Sequence, residues 1–148
     1  MKIFWTGLRI ILGMIFIISA VEKLLSPVEN MVYTIQGYQI LPFAFLQQLL
    51  AYVLPWAEFF VGIFLVLGLW TRLSLTVSAG FSLVFALAVA QAMLRDLPLE
   101  SCGCFGEMLK MPLYVTFILD LVMLTAAVLL LLRPIYPRQY MLDRLFDK

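Results

Sequence analysis

Cys102 and Cys104 stand two positions apart in Ser101-Cys102-Gly103-Cys104-Phe105-Gly106, a short polar interruption between two long apolar runs. They are the only cysteines in the chain. In a sequence that is 64% hydrophobic, free cysteines would usually be scattered through packed helices as small apolar residues. A pair concentrated in one loop points instead to sulfur chemistry. Two residues span at most about 7 Å, and a disulfide needs Cα atoms roughly 4.4 to 6.8 Å apart, so closing this pair requires a bend at the middle residue. Gly103 permits it. A bridge closing so small a ring is expected to be strained, and strained, accessible disulfides are the labile or catalytic ones. The expected chemistry is thiol-disulfide exchange, with one sulfur as nucleophile and the other as resolving thiol.

A second source of chemistry is the set of ionisable residues inside apolar runs, where each is costly and asks for a partner or a purpose. At 1.5 Å per residue, Glu58 lies about 18 Å below Leu46 and Asp120 about 12 Å inside Pro112. Glu22 and Lys23 sit near one end of the first run, and Gln91 near the end of the third. A thiolate, not a thiol, attacks a disulfide; a nearby ammonium favours the thiolate, and a carboxylate can accept the proton. Lys23 is the candidate for the first role and Glu58 for the second. Gln91, Phe105 and Asp120 are candidates to receive a quinone beneath the loop, beside Glu58, although nothing in the sequence demands one. The plainer expectation is that Lys23 snorkels outward and pairs with Glu22 or Asp120, holding helices together and nothing more.

Metal binding is a weaker expectation. Met108 and Met111 join the cysteines as soft sulfur donors, which suit Cu(I) better than zinc, but methionine is also an ordinary membrane-facing residue. Structural zinc wants four Cys or His ligands, and the chain has two cysteines and no histidine. No metal site is therefore assigned. The lack of histidine also removes a bis-histidine haem and a Ser-His-Asp triad.

The elements that must position these groups are membrane helices. With a mean hydropathy of +1.05 and 13% charged residues, 148 residues carry more apolar surface than one soluble core could hide. Four runs are long enough to cross about 30 Å of hydrocarbon: about 4–25, 46–70, 73–94 and 112–132. The first could pass for a cleavable signal, but no small-residue cleavage site followed by a polar domain appears. The fold expected is an all-α four-helix transmembrane bundle over residues 1–133, with a short cytoplasmic tail over 134–148. Ser26-Pro27-Val28-Glu29 reads as a capping box that opens a short helix ending near Gly37, lying along the membrane face between the first two spans. Tyr33, Tyr38 and Trp56 are candidate interfacial anchors. Ser74, Ser78, Ser82, Ala86 and Ala90 form a ridge of small side chains suited to close helix packing, and Gly62 and Gly68 are read as packing positions too.

Four crossings place both termini on one side. With the termini in the cytoplasm, that side carries seven Lys and Arg against three opposite, which favours this orientation and puts the cysteine loop outside, where disulfides persist. The net charge of +1, without a run of five like charges, speaks against nucleic acid and against an acidic substrate.

Lys23 with Ser26-Pro27, then Tyr38-Gln39-Ile40-Leu41-Pro42, Pro55-Trp56-Ala57-Glu58, Gly62, Gly68 and Cys102-Gly103-Cys104-Phe105-Gly106 resemble the pattern of the MauE family. These are four-helix membrane proteins of the DoxX-like group, and the likeness runs from roughly Leu8 to Arg133. The resemblance implies a multi-pass accessory protein of the bacterial inner membrane, linked to redox maturation of periplasmic proteins. In the methylamine system the product matured is an amine dehydrogenase subunit with a tryptophan-derived quinone. The partner expected is a periplasmic thioredoxin-like or disulfide-containing protein, in a setting of membrane lipid. Because only one cysteine pair is present, either it does every exchange or another membrane subunit completes the circuit. The alternatives are a non-catalytic scaffold whose cysteines only stiffen a loop, and an ion or small-molecule pathway lined by Glu58 and Asp120.

Overall fold

The computed structural model describes residues 2–39, 42–95 and 112–132. Cys102, Cys104 and Phe105, and with them Met108, Met111 and the tail from 134, lie outside the described residues. Five helices follow in order: α1 Lys2–Leu25, α2 Val28–Gly37, α3 Ala44–Leu67, α4 Thr71–Leu94 and α5 Leu113–Leu132. Four of them, all but α2, are long and apolar enough to cross a membrane.

The distribution of side chains is that of a multi-pass membrane protein. Arg9, Lys23, Glu58, Ser74, Ser78, Ser82, Thr116 and Asp120 are buried, while Ile18, Val53, Phe60, Leu87, Val122 and many other large apolar residues are exposed. Water would oppose that arrangement; hydrocarbon around the bundle favours it. Each long helix turns one stripe inward at spacings of three and four residues. On α1 the stripe is Arg9, Leu12, Phe16, Ser19 and Lys23. On α3 it is Gln47, Ala51, Pro55, Glu58, Gly62 and Leu65, and on α5 Thr116, Asp120, Met123, Ala127 and Leu130. Such a seam is what lets helices pack at shallow angles along their length.

α1 packs chiefly on α3 and α4 on α5, and thinner contacts join the two pairs. The first pairing depends on two glycines. A Cβ on Gly62 would sit 2.7 Å from Ile17 Cγ1 and 2.9 Å from the Gly13 carbonyl oxygen, so backbone meets backbone at this crossing. On α4 the small ridge is turned inward: Ser74, Ser78, Ser82 and Ala86 are buried and Ala90 half-buried. Ser74 and Ser78 donate their hydroxyls to the Leu69 and Leu75 carbonyls of their own strand of chain, which hides the polarity the ridge brings.

Several sequence expectations change. Gly68 is a helix terminator as well as a packing position. Its φ of +72° is left-handed, and the Gly68 and Leu69 amides donate to Phe64 O at 2.8 and 3.0 Å, so the run expected to reach residue 70 stops at Leu67. The capping box does not form, since α2 is preceded by Pro27 with no side-chain cap. Ser26 belongs to α1 instead, donating through both backbone N–H and Oγ to the Glu22 carbonyl, because the joint between the helices is too short to serve both ends. Tyr33 and Trp56 are exposed, but Tyr38 is 8% exposed and folds inward, so it is no interfacial anchor.

Arg9 lies against the end of α3: the position of a Gly68 Cβ is 2.6 Å from its Nη1. A guanidinium there meets the negative end of the helix. Gly68→Ala is expected to cost about 1–2 kcal/mol, because a Cβ disfavours the left-handed conformation. Chemical denaturation in detergent micelles measures it, and a loss below about 0.5 kcal/mol would show that the turn relaxes.

Candidate functional site

The ionisable residues singled out in the sequence converge. Lys23 projects from the last turns of α1, Glu58 from the inward stripe of α3 one turn past Pro55, and Asp120 from the inward stripe of α5. The Lys23 ammonium donates to both oxygens of Glu58 at 2.7 Å, with each side chain 1% exposed. The same ammonium lies 5.1 Å from the centroid of the Phe85 ring on α4, a cation–π contact that adds to its anchoring. Ser19, one turn before Lys23, donates to Glu58 Oε2 at a long 3.5 Å. The pairing of Lys23 with Glu22 or Asp120 is not what forms; the ammonium is taken by the carboxylate across the α1–α3 contact.

Asp120 is 3% exposed, and its Oδ2 has no hydrogen-bond partner among the described residues. The same holds for the Oγ of Ser82, which is 1% exposed. Asp120, Ser82, Glu58, Ser19, Phe16 and Phe85 are among the residues lining one cavity of about 20 Å³. That is room for one water. It falls far short of the roughly 300–1,000 Å³ of small-molecule sites; of the residues expected to receive a quinone, Phe105 lies outside the described residues. Gln91 is half-buried and outside the lining. Burial first, and the Asp120 carboxyl second when it is ionised, push the phenol of Tyr38, just past α2, above the ordinary value, so it stays a neutral hydroxyl.

Chain order fixes where this cluster sits. The α4–α5 connection that contains Cys102 and Cys104 leaves from Leu94 and returns at Leu113, seven residues or about 10 Å of rise before Asp120. α2 and the end of α1 belong to that same half of the bundle. A second concavity there, an open groove of about 400 Å³, runs between α2 and α3 past Glu29, Tyr33, Gln48 and Tyr52.

Chemically, the Lys23–Glu58 pair is a fixed dipole rather than a free ammonium beside a free base. Sequence reasoning named Lys23, Glu58 and Asp120 but not Ser19, Phe85 or the inward Tyr38. Ser19 carried a weak signal, lying four residues before Lys23 and so on its face. Ser82 was visible only as a packing residue.

The family model for "Methylamine utilisation protein MauE" matches residues 1–133. The chain belongs to the MauE family. Methylamine utilization protein MauE of Paracoccus denitrificans is 33% identical over 123 residues, a match covering 83% of this chain and 65% of that protein. No solved structure matches the chain. The MauE match spans all five helices, every residue of the buried cluster and the two cysteines.

Proposed function

We propose that the protein exchanges thiol-disulfide electrons with a partner through Cys102 and Cys104, on the non-cytoplasmic face of a bacterial inner membrane. The observation that carries this reading is the Cys-Gly-Cys pair itself, confined to one interhelical connection of a MauE-family chain. The lysine and arginine distribution supports the sidedness, with the helix ends at residues 2 and 132 on the cytoplasmic side. The partner is a periplasmic thioredoxin-like or disulfide-containing protein, and the MauE relative makes methylamine utilisation, through maturation of the amine dehydrogenase, the proposed setting.

In the oxidising direction, a partner thiolate attacks one sulfur of the Cys102–Cys104 bridge. A mixed disulfide forms and the other cysteine leaves as a thiolate. The partner's second thiolate then attacks the mixed disulfide, so the partner departs oxidised and both cysteines are left reduced. Two electrons must next leave the pair, either directly to a quinone or to another membrane subunit that completes the circuit. Lys23, Glu58 and Asp120 contribute from beneath, as a buried polar support for the end of the bundle from which the loop springs.

Alkylation in intact cells with a membrane-impermeant maleimide tests both chemistry and sidedness. Labelling is expected only after reduction. Cys102→Ser and Cys104→Ser should differ, with one of them accumulating a reducible adduct with the partner. Full activity of the double serine variant would establish the scaffold reading instead.

A further inference from the structure

The charges gathered in the bundle do not cancel. Lys23 brings one positive charge, and Glu58 and Asp120 bring one negative charge each when ionised. Glu58 already occupies the ammonium with both its oxygens. Asp120 Oδ2 and Ser82 Oγ, both buried and both without a hydrogen-bond partner among the described residues, line a cavity together with Glu58. From the elements packed around Asp120, the groups that face it are Ser19 and Lys23 of α1, Tyr38 past α2, Glu58 of α3 and Ser82 of α4. Other described cations are placed elsewhere: Arg9 against Gly68, Arg72 and Arg95 at exposed positions. Glu22, next to Lys23 on α1, also has a buried Oε2 without a hydrogen-bond partner among the described residues, but it is half-buried as a residue and not among those lining the cavity.

We propose that this cluster is a proton-binding site, holding one proton on the Asp120 carboxyl so that Lys23, Glu58 and Asp120 together carry no net charge. A lone carboxylate in hydrocarbon is costly, and one proton is the smallest ligand that neutralises the site. The protonated carboxyl becomes a hydrogen-bond donor, and the cavity has room for one water to accept that bond and reach the Ser82 hydroxyl. The count also makes the two carboxyls interdependent. With Glu58→Gln, Lys23 has a single carboxylate left to balance it, and Asp120 releases its proton. The inference stands on the charge count of the helices and not on the thiol chemistry.

Infrared difference spectroscopy of the full chain in nanodiscs at neutral pH reads the proton directly. The Asp120→Asn minus wild-type spectrum is expected to show loss of a carboxylic-acid C=O band, shifted in D₂O. The Asp120→Asn comparison repeated in the Glu58→Gln background should show loss of a carboxylate band instead. Size-exclusion profiles establish that each variant is folded. Loss of a carboxylate band in the wild-type background overturns the proposal, as does a carboxylic-acid band from Asp120 that persists with Glu58→Gln. A carboxylic-acid band that appears only when sodium is exchanged for choline also overturns it, by making the site one for sodium.

Discussion

Lys23→Met is expected to cost about 3–5 kcal/mol of folding stability, because it leaves Glu58 buried without its counter-charge. The pair is closed on every side: both Glu58 oxygens lie 2.7 Å from the ammonium, and each side chain is 1% exposed. Without Lys23, Glu58 must either keep its charge in hydrocarbon or take a proton from neutral solution, and both cost free energy. Methionine matches the length of the lysine stem, so little of the loss comes from packing. The decisive comparison is the double variant Lys23→Met/Glu58→Gln. Removing both charges should recover most of the loss, since an apolar or neutral replacement of a buried pair is often near neutral. Unfolding in micelles, followed by tryptophan fluorescence, gives all three numbers. Equal losses in the single and double variants would show that the stem of Lys23, and not its charge, holds α1 to α3.

Gly62→Leu is expected to part α1 from α3. Even a methyl at this position would lie 2.7 Å from Ile17 Cγ1, 2.9 Å from the Gly13 carbonyl and 3.0 Å from the Ile17 amide. Two of those three atoms are backbone and cannot turn away. Overpacking ordinarily costs about 1–3 kcal/mol, and a leucine against backbone belongs at or beyond the top of that range. Because Lys23 and Glu58 face each other across the same helix pair, the ion pair is lost with the crossing. Gly80 provides the control, since a Cβ there meets nothing within 4 Å. Gly80→Ala should leave stability unchanged or raise it by up to about 1 kcal/mol through helix propensity. If both substitutions behave alike, glycine is conserving flexibility at position 62 and not contact.

The cysteine chemistry and the structural cluster come from different kinds of information. Cys102 and Cys104 declare themselves by spacing, since they are the only cysteines in the chain and stand two positions apart. Membrane character and four spans were equally legible, because burying polar and exposing apolar side chains is forced once 64% of the residues are hydrophobic. The rise per residue placed Glu58 and Asp120 at membrane depth, but that both belong to inward stripes was shown only by the packed helices. Helix ends were less legible. Whether Gly68 packs or terminates depends on a φ of +72°, and whether Ser26 accepts from an amide of α2 or donates to a carbonyl of α1 is decided by how the two helices are joined.

What sequence alone determined is therefore the class of protein, the thiol pair and the costly residues in the bilayer. What only tertiary structure decided is who meets whom. A lysine side chain is long enough to reach Glu22, Glu58 or Asp120, and local periodicity does not choose among them. The choice is made by the glycine crossing of α1 with α3, which brings Glu58 within 2.7 Å of the ammonium and leaves Asp120 with Ser82 at the small cavity. Contacts between residues 35 positions apart follow from how helices dock, and docking is set by the shapes of whole surfaces rather than by any one residue's type.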